Sequence, residues 1–114
     1  MSSQPIFSLN NSVIIDASMG ASVNSNVQEI SECNCIAVQV IWSAGSNPIG
    51  SVKLQASLDN ITFTDISGTS LSVSGNSGSH FYNFDRPGFP YLRVVYTRTA
   101  GSGTLNAKIC GKRG

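Results

Sequence analysis

Apolar residues fall on every second position through several short stretches of this chain. Between Asn34 and Ser43, Ile36, Val38, Val40 and Trp42 share one face, while Ala37, Gln39, Ile41 and Ser43 share the other. Val52, Leu54, Ala56 and Leu58 alternate in the same way with Lys53, Gln55 and Ser57. A period of two marks a strand with one buried face. The same pattern predicts strands at Ser12–Asp16, Asn34–Ser43, Val52–Leu58, Thr62–Ile66, Thr69–Ser74 (Leu71 and Val73 inward), Ser79–Phe84, Tyr91–Thr99 and Thr104–Cys110. Helical periodicity is nearly missing. Strands separated by turn signals every eight to twelve residues or so indicate an antiparallel sandwich or barrel.

The segments between these strands carry turn chemistry. Ala44–Gly50 holds Gly, Asn and Pro and reads as a loop. Asp59–Asn60 reads as a tight hairpin turn, because both residue types tolerate left-handed backbone. Gly75–Asn76–Ser77–Gly78 forms a loop tip. Two prolines stiffen Asp85–Arg86–Pro87–Gly88–Phe89–Pro90. Ala100–Gly101–Ser102–Gly103 reads as the loop of a hairpin between the last two strands. Residues 1–114 form a single domain. Its first 33 residues supply either the first strands or an N-terminal arm that packs on a neighbouring subunit.

Length and charge narrow the picture. The chain has 114 residues, enough for one hydrophobic core. Charged residues make up 11%, against about 25% in an average soluble domain, so Ser, Thr, Asn, Gln and Gly cover most of the surface. Net charge is +1, which puts little repulsion between copies and gives no basic field for nucleic acid. The start Met1–Ser2–Ser3–Gln4–Pro5 lacks the basic and apolar regions of a signal peptide. No stretch reaches the ~18–20 apolar residues of a membrane helix, so no membrane insertion is expected. Cys33, Cys35 and Cys110 are an odd number, which argues against a disulfide framework and for reduced thiols. Cys33 and Cys35, two apart, are expected on one face of a strand. A bond from Cys110 to either remains open on sequence alone.

The stretch Gln55–Ala56–Ser57–Leu58–Asp59–Asn60–Ile61–Thr62–Phe63–Thr64, followed by Pro90–Tyr91–Leu92–Arg93–Val94, resembles discoidin-like (galactose-binding-like) jelly rolls. Those domains carry a Ser-x-Asp-Gly turn, an aromatic residue and Thr, and later an aromatic-x-Arg-hydrophobic strand. Here Asn60 stands for the usual Gly and Phe63 for the usual Trp. The resemblance covers roughly residues 50–98 and implies an all-β antiparallel sandwich of jelly-roll type with about eight strands. The segment Tyr91–Thr99 with Gly101–Asn106 is similar in style to small structural proteins of tailed bacteriophages. That resemblance implies a virion component, such as a capsid decoration, head fibre or tail attachment, assembled in the host cell cytoplasm.

Little reactive chemistry offsets this reading. His80 is the single histidine, and no Gly-x-Ser-x-Gly elbow accompanies it. Asp16, Glu29, Glu32, Asp59, Asp65 and Asp85 include no pair whose spacing points to glycoside hydrolysis. Cys33, Cys35, Cys110 and His80 would make a Cys₃His zinc set only if the fold gathered them, and Cys-x-Cys is not the common knuckle spacing. Gly101–Ser102–Gly103 joins two strands rather than opening a helix, so it is no phosphate loop. The expected protein is therefore non-enzymatic and needs no cofactor or metal. Its partners are its own copies, with a trimer favoured, and other virion proteins. Ile6, Phe7, Leu9 and Arg93 are the candidate oligomer contacts, Arg93 as a partner for a carboxylate such as Asp65 or Asp85. The alternative is a carbohydrate-binding or host-recognition module, with a surface glycan held by Tyr82, Asp85, Arg86 and Phe89.

Overall fold

The computed structural model describes residues 7–31, 33–85 and 87–113. Its strands are β1 (Phe7–Ser18), β2 (Val23–Asn24), β3 (Gln28–Glu29), β4 (Cys35–Ser57), β5 (Thr64–Asp65), β6 (Leu71–Val73), β7 (Gly78–Asp85) and β8 (Tyr91–Arg113). All pairings are antiparallel. The predicted fold class, an all-β jelly-roll sandwich of about eight strands, is what forms.

Its frame is a two-stranded ribbon. β4 and β8, each 23 residues long, pair along their whole length, from Cys35 opposite Lys112 to Ser57 opposite Tyr91. A straight strand of that size would reach about 75 Å at ~3.3 Å per residue, well beyond the 54 Å longest dimension of the molecule. The ribbon is therefore bent. The bend lies where the register shifts three times, between Ser43 and Gly50. Ala44, Asn47 and Gly101 adopt φ of +52°, +51° and +76° there.

The two regions predicted as loops, Ala44–Gly50 and Ala100–Gly103, are in fact paired with each other inside the ribbon. Ser46 faces Ser102 and Ile49 faces Ala100. Their turn-forming residues serve β-bulges, which bend a strand and raise its twist without ending it. The last two predicted strands are likewise one strand, not a hairpin.

Bending creates two facing layers. In one, β1 and β7 flank the Thr104–Arg113 and Cys35–Ser43 parts of β8 and β4. In the other, β2 and β3 flank the start of β8, and β5 and β6 flank the end of β4. Contacts across the layers show that they face one another. The Tyr82 hydroxyl on β7 donates to the Thr69 carbonyl at 2.8 Å, on the other layer. Phe84 meets Phe89 edge to face at 5.9 Å. The Ile30 N–H reaches the Pro90 carbonyl at 2.7 Å, and the Cys33 and Asn34 N–H groups reach Ile30 and Lys112. Both ends of the ribbon thus return to one pole of the molecule, opposite the bend.

The core fills the space between layers. Ile36, Val38, Val40 and Trp42 point into it from β4, joined past the bend by Val52 and Leu54. On β8 the inward set is Leu92, Val94 and Tyr96 before the bend, then Leu105, Ala107 and Ile109 after it. The parity switches on β8 and not on β4, as unequal bulges require, since a one-residue slip turns every later side chain to the opposite face. Leu58 departs from its predicted inward place. β4 ends at Ser57, which is buried, and Leu58 is 75% exposed in the connection 58–63. Residues 7–18, only partly predicted as strand, pair with β8 of their own chain.

Candidate functional site

The pole where the ribbon ends meet carries the loops and two grooves. The connection 58–63 is held by side chains acting on backbone. Ser57 Oγ accepts the N–H groups of Asp59 at 3.2 Å and Asn60 at 2.9 Å, and donates to Asp59 Oδ1 at 2.8 Å. That same carboxylate oxygen accepts the Ile61 and Thr62 N–H groups, both at 2.9 Å. The hydrogen bonds hold the Asp59 carboxyl at about 2, below its ordinary 3.8, with the Thr62 N–H first among the causes. Asn60 sits at φ +60°, the left-handed region where Gly or Asn is tolerated. The Ser-x-Asp-Asn motif therefore fixes a six-residue connection, wider than the two-residue turn predicted.

This rigid loop displays Leu58, at 75% exposure, and Ile61, at 82%. Beside it lies a groove of about 320 Å³ formed by Ala56, Ser57, Leu58, Asp59, Thr62, Thr64 and Phe89. A second groove, of about 500 Å³, opens between β4, β7 and β8 and includes Cys35, Ala37, Phe84, Asp85, Cys110 and Lys112. The Phe84–Phe89 contact links the two.

Of the four residues expected to hold a glycan, Phe89 and Asp85 lie in these two grooves. Tyr82 does not join them. It is only 7% exposed, and its hydroxyl is bonded inside the core, so its ring face is closed to a sugar. Burial pushes that hydroxyl up to about 12. Arg86 lies outside the described residues. Trp42 is buried, as expected.

The expected oligomer contacts are similarly dispersed. Phe7 and Leu9 fall on β1, and Ile6 lies outside the described residues. Arg93 is engaged within its own chain. Its Nε donates to Gln55 Oε1 at 2.8 Å, and the guanidinium lies 4.3 Å over the Phe63 ring. Gln55 in turn donates to Asp65 at 2.7 Å, and Lys53 pairs with the other Asp65 oxygen at 3.0 Å. These bonds, Gln55 foremost, lower the Asp65 carboxyl. The network follows register, since Gln55 stands opposite both Arg93 and Asp65.

The thiols are divided. Cys33 precedes β4 and is buried, whereas Cys35 is exposed and Cys110 half-buried on the outer face. The expectation that Cys33 and Cys35 share a strand face fails because the strand begins only at Cys35. Among the described residues, no group of three or more His, Cys, Asp or Glu side chains is placed to hold a metal ion. His80 meets the edge of Tyr82 at 4.8 Å, which is a packing contact. Sequence reasoning overlooked Leu58, Ile61, Thr62 and Thr64 at the pole. The usable signal was Ser57 two residues before Asp59, which predicts a fixed loop with its intervening side chain turned out.

No family model matches the chain, and no curated protein matches it. Solved structures do match. The SPBc2 prophage-derived protein YomS superposes with a TM-score of 0.67 at 14% identity, covering 97% of this chain and 99% of that one. A CBM4 structure superposes with a TM-score of 0.51 at 9% identity, over 81% of this chain and 61% of that one. At these identities the likeness establishes a shared β-sandwich fold.

Proposed function

We propose that this chain is a non-enzymatic structural component of a phage virion, such as a capsid decoration, head fibre or tail attachment protein, working through association of its own copies. The observation that carries this reading is the surface. Large apolar side chains, among them Ile15, Leu58, Ile61 and Phe81, stand exposed on strands and a rigid loop. They do so in a chain with few charges and a net charge of +1. Large apolar side chains held exposed on a rigid frame gain from being buried between copies, and low charge lets identical copies approach. The full-length likeness to a prophage-derived protein supports the phage setting. Copies join by burying apolar surface, without a chemical step. Light scattering of the purified protein, together with probing purified particles for the chain, tests it. A stable assembly present in particles supports the reading, and a monomer at every concentration that is absent from particles removes it.

A second reading, a carbohydrate-binding or host-recognition module, has one observation in its favour. Phe89 and the hydroxyls of Thr62 and Thr64 line a single groove at the loop pole, an apolar wall with polar groups as small-molecule sites require. Glycan-array binding that weakens on Phe89→Ala would favour it, while an array without a binder counts against it.

A further inference from the structure

Sheet edges offer unpaired N–H and C=O groups, and proteins blunt them by shortness, bulges, charge, proline or cover. Nearly every edge of this sandwich is treated in one of those ways. β2, β3, β5 and β6 are two or three residues long. β1 is longer, but its register breaks between Ser12 and Ile14 and again between Ile14 and Ala17. Its Val13 carbonyl also accepts the Asn26 N–H at 3.3 Å.

β7 is the exception. Gly78–Asp85 runs eight residues in unbroken register against Trp42–Cys35. It contains no Pro, Lys or Arg, and its one carboxylate is at the final position. Among the described residues, no hydrogen bond reaches its backbone from the side away from β4. Near its middle stands Phe81, 58% exposed. A long edge in unbroken register, with its one carboxylate at the end and an exposed aromatic ring near the middle, is a template for pairing with another strand.

We propose that β7 is a self-pairing edge, on which β7 of a second copy lies antiparallel about a twofold axis at Phe81. The register follows from the faces. Directly opposed residues of paired strands point to the same side, so Phe81 meets its own counterpart, Ser79 meets Asn83, and the outer faces stay outer. The two aromatic rings then pair across the axis. The two Asp85 carboxylates fall at opposite ends of the new ladder, so no like charges are opposed. A twofold contact of this kind closes on itself and extends the β1–β8–β4–β7 layer into a sheet continuous through two molecules. The inference rests on the reading that the chain assembles with itself, and it names the contact.

The test is light scattering over a range of concentrations on the full chain and on Phe81→Lys, with hydrogen exchange of the β7 amides. The wild type is expected at twice the 12.0 kDa chain mass. Phe81→Lys should halve that mass and lose exchange protection along the outer edge of β7, with an unchanged circular dichroism spectrum because Phe81 is exposed. Val27→Lys, an exposed apolar position between β2 and β3, should leave the mass unchanged. If Phe81→Lys disturbs the spectrum, Asn83→Lys, on the same outer face, replaces it with the same expected halving. An assembly that survives both lysine variants, a trimer included, overturns the edge pairing and leaves the assembly reading standing. A wild-type monomer at every concentration overturns both.

Discussion

Two tyrosine hydroxyls are sealed in the core, and they differ in their partners. Tyr82 donates to the Thr69 carbonyl, whereas the buried Tyr96 hydroxyl makes no hydrogen bond among the described residues. An unpaired buried polar group is unfavourable, and a paired one contributes about 1 kcal/mol net. Tyr82→Phe should therefore destabilise by about 1 kcal/mol, while Tyr96→Phe should be neutral or stabilising, as read from denaturant midpoints. The Tyr82 hydroxyl, raised from 10.0 to about 12, adds a signature at high pH. A folded pKa above the unfolded one gives stability that is complete below pH 10.0 and lost as pH rises toward about 12. Tyr82→Phe should lack its share of that loss. Asp59 behaves with the opposite sign. Its carboxyl is lowered from 3.8 to about 2, so its contribution is present above pH 3.8 and lost as pH falls toward about 2. Protection of the Ile61 and Thr62 amides, relative to their intrinsic exchange rates, should fall through that window, and Asp59→Asn should remove this pH dependence.

At the scale of the elements, the decisive feature is the bend in the β4–β8 ribbon. Gly101 has φ +76°, and a Cβ there would run into the Asn47 carbonyl on the facing strand. Gly101→Ala should destabilise by at least about 1–2 kcal/mol from the backbone conformation alone. Gly88→Ala, where a Cβ meets nothing within 4 Å, should leave the thermal midpoint unchanged. This bend also explains how far the sequence could be read. Ile36, Val38, Val40 and Trp42 announced a buried strand face because a period of two has no other simple cause, and their burial follows. Gly45, Asn47, Pro48, Gly101 and Gly103 announced a reversal of the chain, and there the reading failed. The same residues suit a hairpin loop and a bulge, and the difference lies in whether a facing segment pairs with them. That information resides at positions some fifty residues away. The candidate site was legible in its turn chemistry, Ser57 with Asp59, and in Phe89 between two prolines. Tyr82 was misjudged because alternation tells that a side is buried without telling which.

For the molecule as a whole, charge is sparse and mostly satisfied locally, as in the Arg93–Gln55–Asp65–Lys53 network on one outer face. Large exposed apolar side chains lie on both edge strands of one layer and at the loop pole: Ile15 on β1, Phe81 on β7, Leu58 and Ile61 beside the grooves. Contacts made through such surfaces gain from removing apolar area from water and owe little to attraction between ions. Raising salt from about 0.01 to about 1 M shortens the screening length from about 30 to about 3 Å, which would weaken an assembly held by exposed charges. For this chain the mass measured by light scattering should hold constant across that range. It should hold, or rise, in sulfate, which strengthens apolar burial. A mass that falls as sodium chloride is added would assign the contact to charged groups such as Lys108 and Lys112, which stand exposed on the outer face of β8, and would turn attention from the apolar surfaces to those lysines.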